Sequence, residues 1–173
     1  MVLVIIGLVV KIAAPKIDTT RFRMNSAAQI LGSSVLAAQR QAVTQQHDVI
    51  VFVDSAYNRI RILEDKNNNG AINSGEHVRF VNMGQGVVFG RGSAPAGAPG
   101  SAVIALTKRI SGVPVIVFHR DGSASEQGGF YVTSVQAMRS NVRATDARAV
   151  SVDRATGRAS WYRYGTTGWV TLF

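Results

Sequence analysis

"FRMNSAAQILGSSVLAAQRQAVTQQ", residues 22–46, decides the fold. Ala27, Leu31, Val35, Ala38 and Ala42 recur at spacings of four, four, three and four, which is one face of an α-helix. Gln29, Ser33, Arg40 and Gln41 fall largely off that face, and good helix formers dominate from Ala37 to Ala42. The pattern predicts a helix that ends near Gln46 and lays one apolar stripe on another layer.

Beyond His47 the apolar period drops to two. "VIVFV" (49–53) and "RIRIL" (59–63) are β-branched runs joined across "DSAYN", a hairpin signal. "HVRFVN" (77–82), "GVVF" (86–89), "VIAL" (103–106) and "VPVIVF" (113–118) continue the series. "GFYVTSV", "RAVSVD", "ASWYRY" and "TTGWVTLF" complete it. Pro114 belongs near a strand start or an edge, because it cannot donate to a ladder. "GRGSAPAGAPGSA" (90–102) has no periodicity and predicts a flexible surface loop. The expected fold is α+β, with one long N-terminal helix (about 1–46) packed by its C-terminal half on an antiparallel β region, 48–173, of eight or more short strands.

Ahead of the helix lies "MVLVIIGLVVKIAAPKI" (1–17). Nothing charged or polar interrupts Val2 to Val10, which suits lipid or neighbouring helices, although a spanning helix needs about 20 such residues. A basic n-region and a small-residue cleavage site, which would mark a secretory signal, are missing from this stretch. Pro15 would kink a continuing helix. An unbroken helix over 1–46 would be roughly 65–70 Å long. Its front half, 1–21, with Val2, Ile5, Ile6, Gly7, Val10 and Pro15, is therefore expected to project as a membrane or filament-core segment from a globular domain at 22–173.

The 173 residues suit one domain with a real core, and 46% hydrophobic against 17% charged residues indicates a globular chain. The absence of cysteine excludes disulfides, thiolate zinc sites and cysteine nucleophiles. Nineteen Lys+Arg against ten Asp+Glu give +9, which permits nucleic acid, anionic lipid or an acidic partner. The arginines are scattered singly, however, as on a solvated β surface. His47, His77 and His119 show no zinc spacing, and no G-x-S-x-G elbow, P-loop or G-x-G-x-x-G occurs. The sequence reads as that of a non-enzyme.

Two constellations could bind something. "DKNNNGAINSGE" (65–76) matches the calcium pattern D-x-[DN]-x-[DN]-G-x5-E. Asp65, Asn67 and Asn69 would offer side-chain oxygens, Ala71 its carbonyl, Asn73 a water-mediated contact and Glu76 two oxygens. With two charged ligands and Lys66 beside them, any Ca2+ affinity should be weak, in the ~10⁻⁴–10⁻³ M range. An Asx-stabilised hairpin loop explains the same residues without a metal. The second constellation interleaves Arg148, Arg154, Arg158 and Arg163 with Trp161, Tyr162, Tyr164 and Trp169, a composition suited to nucleic acid. In a strand, though, Trp161 and Arg163 share one face and Tyr162 and Tyr164 the other, as in a strand half in the core and half in water.

With these residues the chain resembles the type IV pilin-like proteins, and among them the GspH/FimT-type minor pseudopilins. "IIGLVVKIAAPKI" is similar to the end of the pilin N-terminal helix, with Gly7 and Pro15, and "AAQRQAV" (37–43) to the segment closing that helix in the subfamily. "EDKNNNGAINSGEHVRF" resembles its Asx-rich hairpin, "VFHRDGSA" its Phe-x-x-Asp-Gly turn and "ATGRASWYRY" its closing "TGR" hairpin. The resemblance implies a single-pass protein of the bacterial inner membrane, cleaved by prepilin peptidase. It would then be built with other pilins or pseudopilins into a type II secretion pseudopilus or type IV pilus, its β domain periplasmic or on an extracellular filament. The family pattern places a leader ending in glycine, then Phe-Thr-Leu-Ile-Glu or similar, just upstream of Met1. Lys11 is unusual for a stretch normally apolar. DNA binding, associated with FimT-type members through a "GR-x-R" element, is the alternative role; here the element reads Gly157-Arg158-Ala159-Ser160, without its second arginine.

Overall fold

A computed structural model describes residues 19–140 and 142–172, so Val2, Ile5, Ile6, Gly7, Val10 and Pro15 lie outside the described residues. The helix read from the spacing of 27 to 42 is α1, Thr19–Gln45. It stops where Gln46 turns left-handed (φ 57°) and where Gln46 Nε2 donates to the Val43 carbonyl (2.6 Å), an acceptor the helix end leaves open. Met24, Ala27, Leu31, Val35, Ala38 and Ala42 are each at most 3% exposed. At Gly32 the helix rides so close to the sheet that an added Cβ would lie 2.5 Å from Trp161 Cε3.

The β region forms two antiparallel sheets. The first has the order β3-β2-β1-β7-β6, from β1 Asp48–Asp54, β2 Arg59–Asp65, β3 Val78–Asn82, β6 Arg109–Ile110 and β7 Val113–Phe118. The second runs β11-β10-β9-β8-β4 with β5 also on β8. Its strands are β4 Val87–Phe89, β5 Ile104–Ala105, β8 Gly128–Ser134, β9 Arg148–Val152, β10 Ala159–Gly165 and β11 Gly168–Thr171. Pro114, second in β7, faces the two-residue edge strand β6. The expected α+β arrangement, one long helix on antiparallel strands, is the one observed.

The helix stripe joins both sheets in one core: Val49, Val51, Ile62 and Phe118 from the first sheet, Phe130, Val132, Val150 and Val152 from the second. Complete burial of a side chain such as Leu31 or Val35 contributes about 1.5–3 kcal/mol. Ile50, Phe52, Leu63, Val115 and Val117 make a second cluster, so β1 is covered on both faces, with the Arg61 guanidinium 4.2 Å above the Phe52 ring.

Residues 90–102 correct one expectation. Far from being a loose surface loop, this segment is pinned: the Tyr131 hydroxyl accepts the Gly97 N–H (2.6 Å) and donates to the Gly100 carbonyl (2.7 Å). Trp169 Nε1–H donates to the Pro95 carbonyl (3.1 Å), and Ala94 and Pro99 are buried. The sequence also gives no hint of the one-and-a-half-turn α2, Val135–Ser140, or of the 3-10 turn Ala144–Asp146. Ser134 Oγ ties the two together, accepting the Ala137 N–H (3.0 Å) and donating to Asp146 Oδ2 (2.6 Å). That knot sets the start of β9, and with it Arg148.

Candidate functional site

The loop from β2 to β3 fills its centre with its own amides. Asp65, 2% exposed, accepts the Asn69 N–H on Oδ1 (3.0 Å) and the Gly70 N–H on Oδ2 (2.7 Å). Asn67 Oδ1 accepts the Asn69 N–H (3.2 Å), and Asn69 Oδ1 accepts from Ala71 N (2.8 Å) and Asn73 Nδ2 (3.1 Å). Asn73 Nδ2 also reaches the Ala71 carbonyl (3.0 Å), while Glu76 Oε2 accepts the Asn73 N–H (2.8 Å). Gly70 takes the positive φ (73°) that this turn requires. Lys66 Nζ closes the rim on the Gly75 carbonyl (3.1 Å). The oxygens assigned to calcium therefore accept amide hydrogens, and Glu76 Oε1 is buried with no partner. Among the described residues no three acids or histidines cluster as metal ligands. Calcium at this loop stays a proposal.

The four C-terminal arginines do not form one surface. Arg148 and Arg163 are directly paired across β9 and β10, whereas Arg154 and Arg158 flank the turn at the far end of that hairpin. At about 3.3 Å per residue the two ends lie roughly 13–15 Å or more apart. In that far turn Asp153 accepts from the Thr156 hydroxyl (2.8 Å) and amide (2.9 Å), and these bonds hold its carboxyl below the usual range. Trp161 packs on the helix at Gly32, and Tyr164 meets Trp169 edge-on at 5.4 Å. Trp161 therefore lies on the helix side, but Ser160 to Gly165 are all half-buried, so β10 is not divided cleanly into a core face and a water face.

Arg148 is 1% exposed. Its Nε donates to Asn25 Oδ1 on α1 (2.9 Å), and Nη1 donates to the Thr145 and Ala147 carbonyls (2.8 Å each). Burial pushes its pKa down to about 10; Asp146 opposes the shift, while Arg21 and Arg163 reinforce it by repulsion. Asp146 is itself held by Arg143 Nε (2.8 Å) and Ser134. Arg21, Arg148 and Arg163 border one cavity of about 490 Å³, with Thr145, Thr166 and Thr167. Arg21 was not legible as a member of this group, because only the helix-to-hairpin packing brings it there.

The outer side of α1 carries exposed apolar groups, with Phe22 75% and Ile30 48% accessible; both line a groove against Met83 and Val87. The boundary drawn between 21 and 22 falls inside α1, and among the described residues no helix is long and apolar enough to cross a membrane. The histidines have separate partner groups: His47 Nδ1 lies 3.0 Å from the Asp48 carbonyl, His119 pairs with the Asp48 carboxylate and His77 with Glu64.

No family model and no curated protein sequence matches the chain. Among solved structures it is similar to the minor pseudopilin EpsH from the type 2 secretion system of Vibrio cholerae. The two share 11% identity over 87% of this chain and 96% of that one, with a TM-score of 0.44. The likeness is one of chain trace only.

Proposed function

We propose that this chain is a minor pseudopilin, a structural subunit of a membrane-anchored filament of the type II secretion or type IV pilus kind, acting by assembly and not by catalysis. The contrast along the N-terminal region carries the reading. From Met24 to Ala42 the inner face of α1 is sealed onto the sheets, whereas the preceding sequence, Val2 to Val10, has no polar side chain to meet water. Phe22 and Ile30 extend apolar surface onto the outer side of the same helix, where neighbouring subunits would pack. The GspH/FimT-like segments add support, since they fall on α1, the β2–β3 loop, the turn after β7 and the β9–β10 turn. Its partners would be other pilin-like subunits, with the inner membrane as its location before assembly and prepilin peptidase as its processing enzyme. DNA capture draws less support, because Arg148 is buried and Arg154 and Arg158 sit at the opposite end of the hairpin.

The chain has no cysteine, so single cysteines at Phe22 and Ile30 can be introduced into the full-length protein in cells that make the filament. Cross-links to pilin-like subunits, with the protein in the inner-membrane fraction, are expected. A freely soluble protein without such cross-links at either position would overturn the reading.

A further inference from the structure

We infer that the cavity between the first described turns of α1 and the β10–β11 hairpin is a binding site for a phosphate-type oxyanion, held by Arg21, Arg148 and Arg163. The inference is independent of the filament reading. Arg148 and Arg163 are register partners across β9 and β10, a position where like charges repel. Arg21 adds a third positive charge to the same cavity, and among the described residues no acidic side chain lines it. The carboxylate in range, Asp146, is already engaged by Arg143 and Ser134. A chain that only needed a solvated strand end would not gather three guanidinium groups around a cavity that has no counter-charge among the described residues.

The buried member is also preset for a ligand. Nε and Nη1 of Arg148 are fixed by Asn25 and two carbonyls, and among the described residues Nη2 has no hydrogen-bond partner. Nη2 is not among the buried atoms left without a partner, so it stays open to an incoming anion while the rest of the guanidinium is held in place. Planar guanidinium forks match the oxygens of a phosphate mono- or diester, and the exposed Thr166 and Thr167 on the cavity wall supply hydroxyl donors. Two sources share that chemistry, free phosphate and the headgroup of an anionic lipid. The second gains from sequence, because Arg21 follows closely on the apolar segment ending at Val10.

The test uses the full chain in nonionic detergent, titrated with inorganic phosphate against chloride at matched ionic strength. Phosphate alone should raise the melting temperature and move the Arg148 Nε–H resonance. Arg21→Gln and Arg163→Gln, at positions that are not buried, should each weaken phosphate binding about tenfold, as loss of a charge-assisted bond does. The double variant Arg154→Gln/Arg158→Gln should bind like wild type. Identical responses to phosphate and chloride, or equal losses in the two sets of variants, would sink the site. Phosphatidylglycerol vesicles then separate the sources. A loss of about tenfold in vesicle binding for Arg21→Gln/Arg163→Gln, but not for Arg154→Gln/Arg158→Gln, assigns the headgroup, and equal losses assign free phosphate.

Discussion

Two long connections of this molecule that contain no helix are held by opposite means. Residues 66–77, between β2 and β3, close on their own side chains, with donor and acceptor usually two to five positions apart, as in Asn67 to Asn69 and Asp65 to Gly70. Residues 90–103, between β4 and β5, lack such side chains, and Tyr131 and Trp169 reach in from distant strands to fix them. Both stretches are rich in turn residues. What differs is where the hydrogen-bonding partners lie in the chain. A polar connection carries its own instructions; a Gly/Ala/Pro connection borrows its order from the core.

Removing Tyr131 should break the second arrangement and spare the first. The side chain is 0% exposed, and Tyr131→Ala should cost about 3–5 kcal/mol as a large-to-small core change. Hydrogen exchange should accelerate in residues 93–101 while amides 66–76 keep their protection. Equal loosening of both segments would mean that the damage is global and that the clamp is not local. Asp65→Ala runs the converse experiment. It strands the Gly70 amide, leaves the Asn69 amide only its longer bond to Asn67, and should cost about 1–3 kcal/mol, with amide shifts confined to the β2–β3 loop. If residues 90–103 shift as well, the two connections are coupled and the contrast fails.

The same distinction explains what the sequence revealed. The stripe from Ala27 to Ala42 was legible because helical spacing places its members together before any tertiary contact exists. The strand runs were legible from their alternation and the punctuation of their turns. Order in 90–102 was not, since nothing near those residues names Tyr131 or Trp169 as partners. The arginines show the same limit. Arg148, Arg154, Arg158 and Arg163 look like one group along the chain, yet the hairpin register divides them and the helix adds Arg21. The short α2 escaped because it is one and a half turns, below the length at which a period can be recognised.

A smaller effect sharpens the comparison at a third connection. Glu126 reaches back to residues 107 and 108, accepting from Thr107 N and Oγ1 (2.9 and 2.7 Å to Oε2) and Lys108 N (2.8 Å to Oε1). Burial works to raise its pKa, but the bonds to Lys108 and Thr107 prevail and hold it below the ordinary 4.5. A carboxyl with a lowered folded pKa adds stability that is full above its unfolded value and disappears as pH falls through the folded one. Because Glu126 is partly in water, screening should keep the amount under about 1 kcal/mol. Wild type should therefore melt slightly above Glu126→Gln at pH 7, and the gap should close below pH ~4.5. A gap that persists at pH 3 would show that the latch works through shape and not charge.

The smallest expected effect is that of calcium on the β2–β3 loop. If the loop bound the ion at tenfold excess over its dissociation constant, linkage would add about 1.4 kcal/mol to stability. The amides of Asn69 and Gly70 point at Asp65, and the Asn73 amide points at Glu76, so the carboxylates already have hydrogen donors where a cation would need oxygens. Loading would have to turn these groups away from one another at a cost comparable to that gain. The expected result is that 10 mM calcium leaves the melting temperature and the loop amide shifts where EDTA leaves them. A rise that Glu76→Gln abolishes, with magnesium doing less, would instead establish the calcium proposal, and the loop would then take its order from a ligand and no longer from its own side chains.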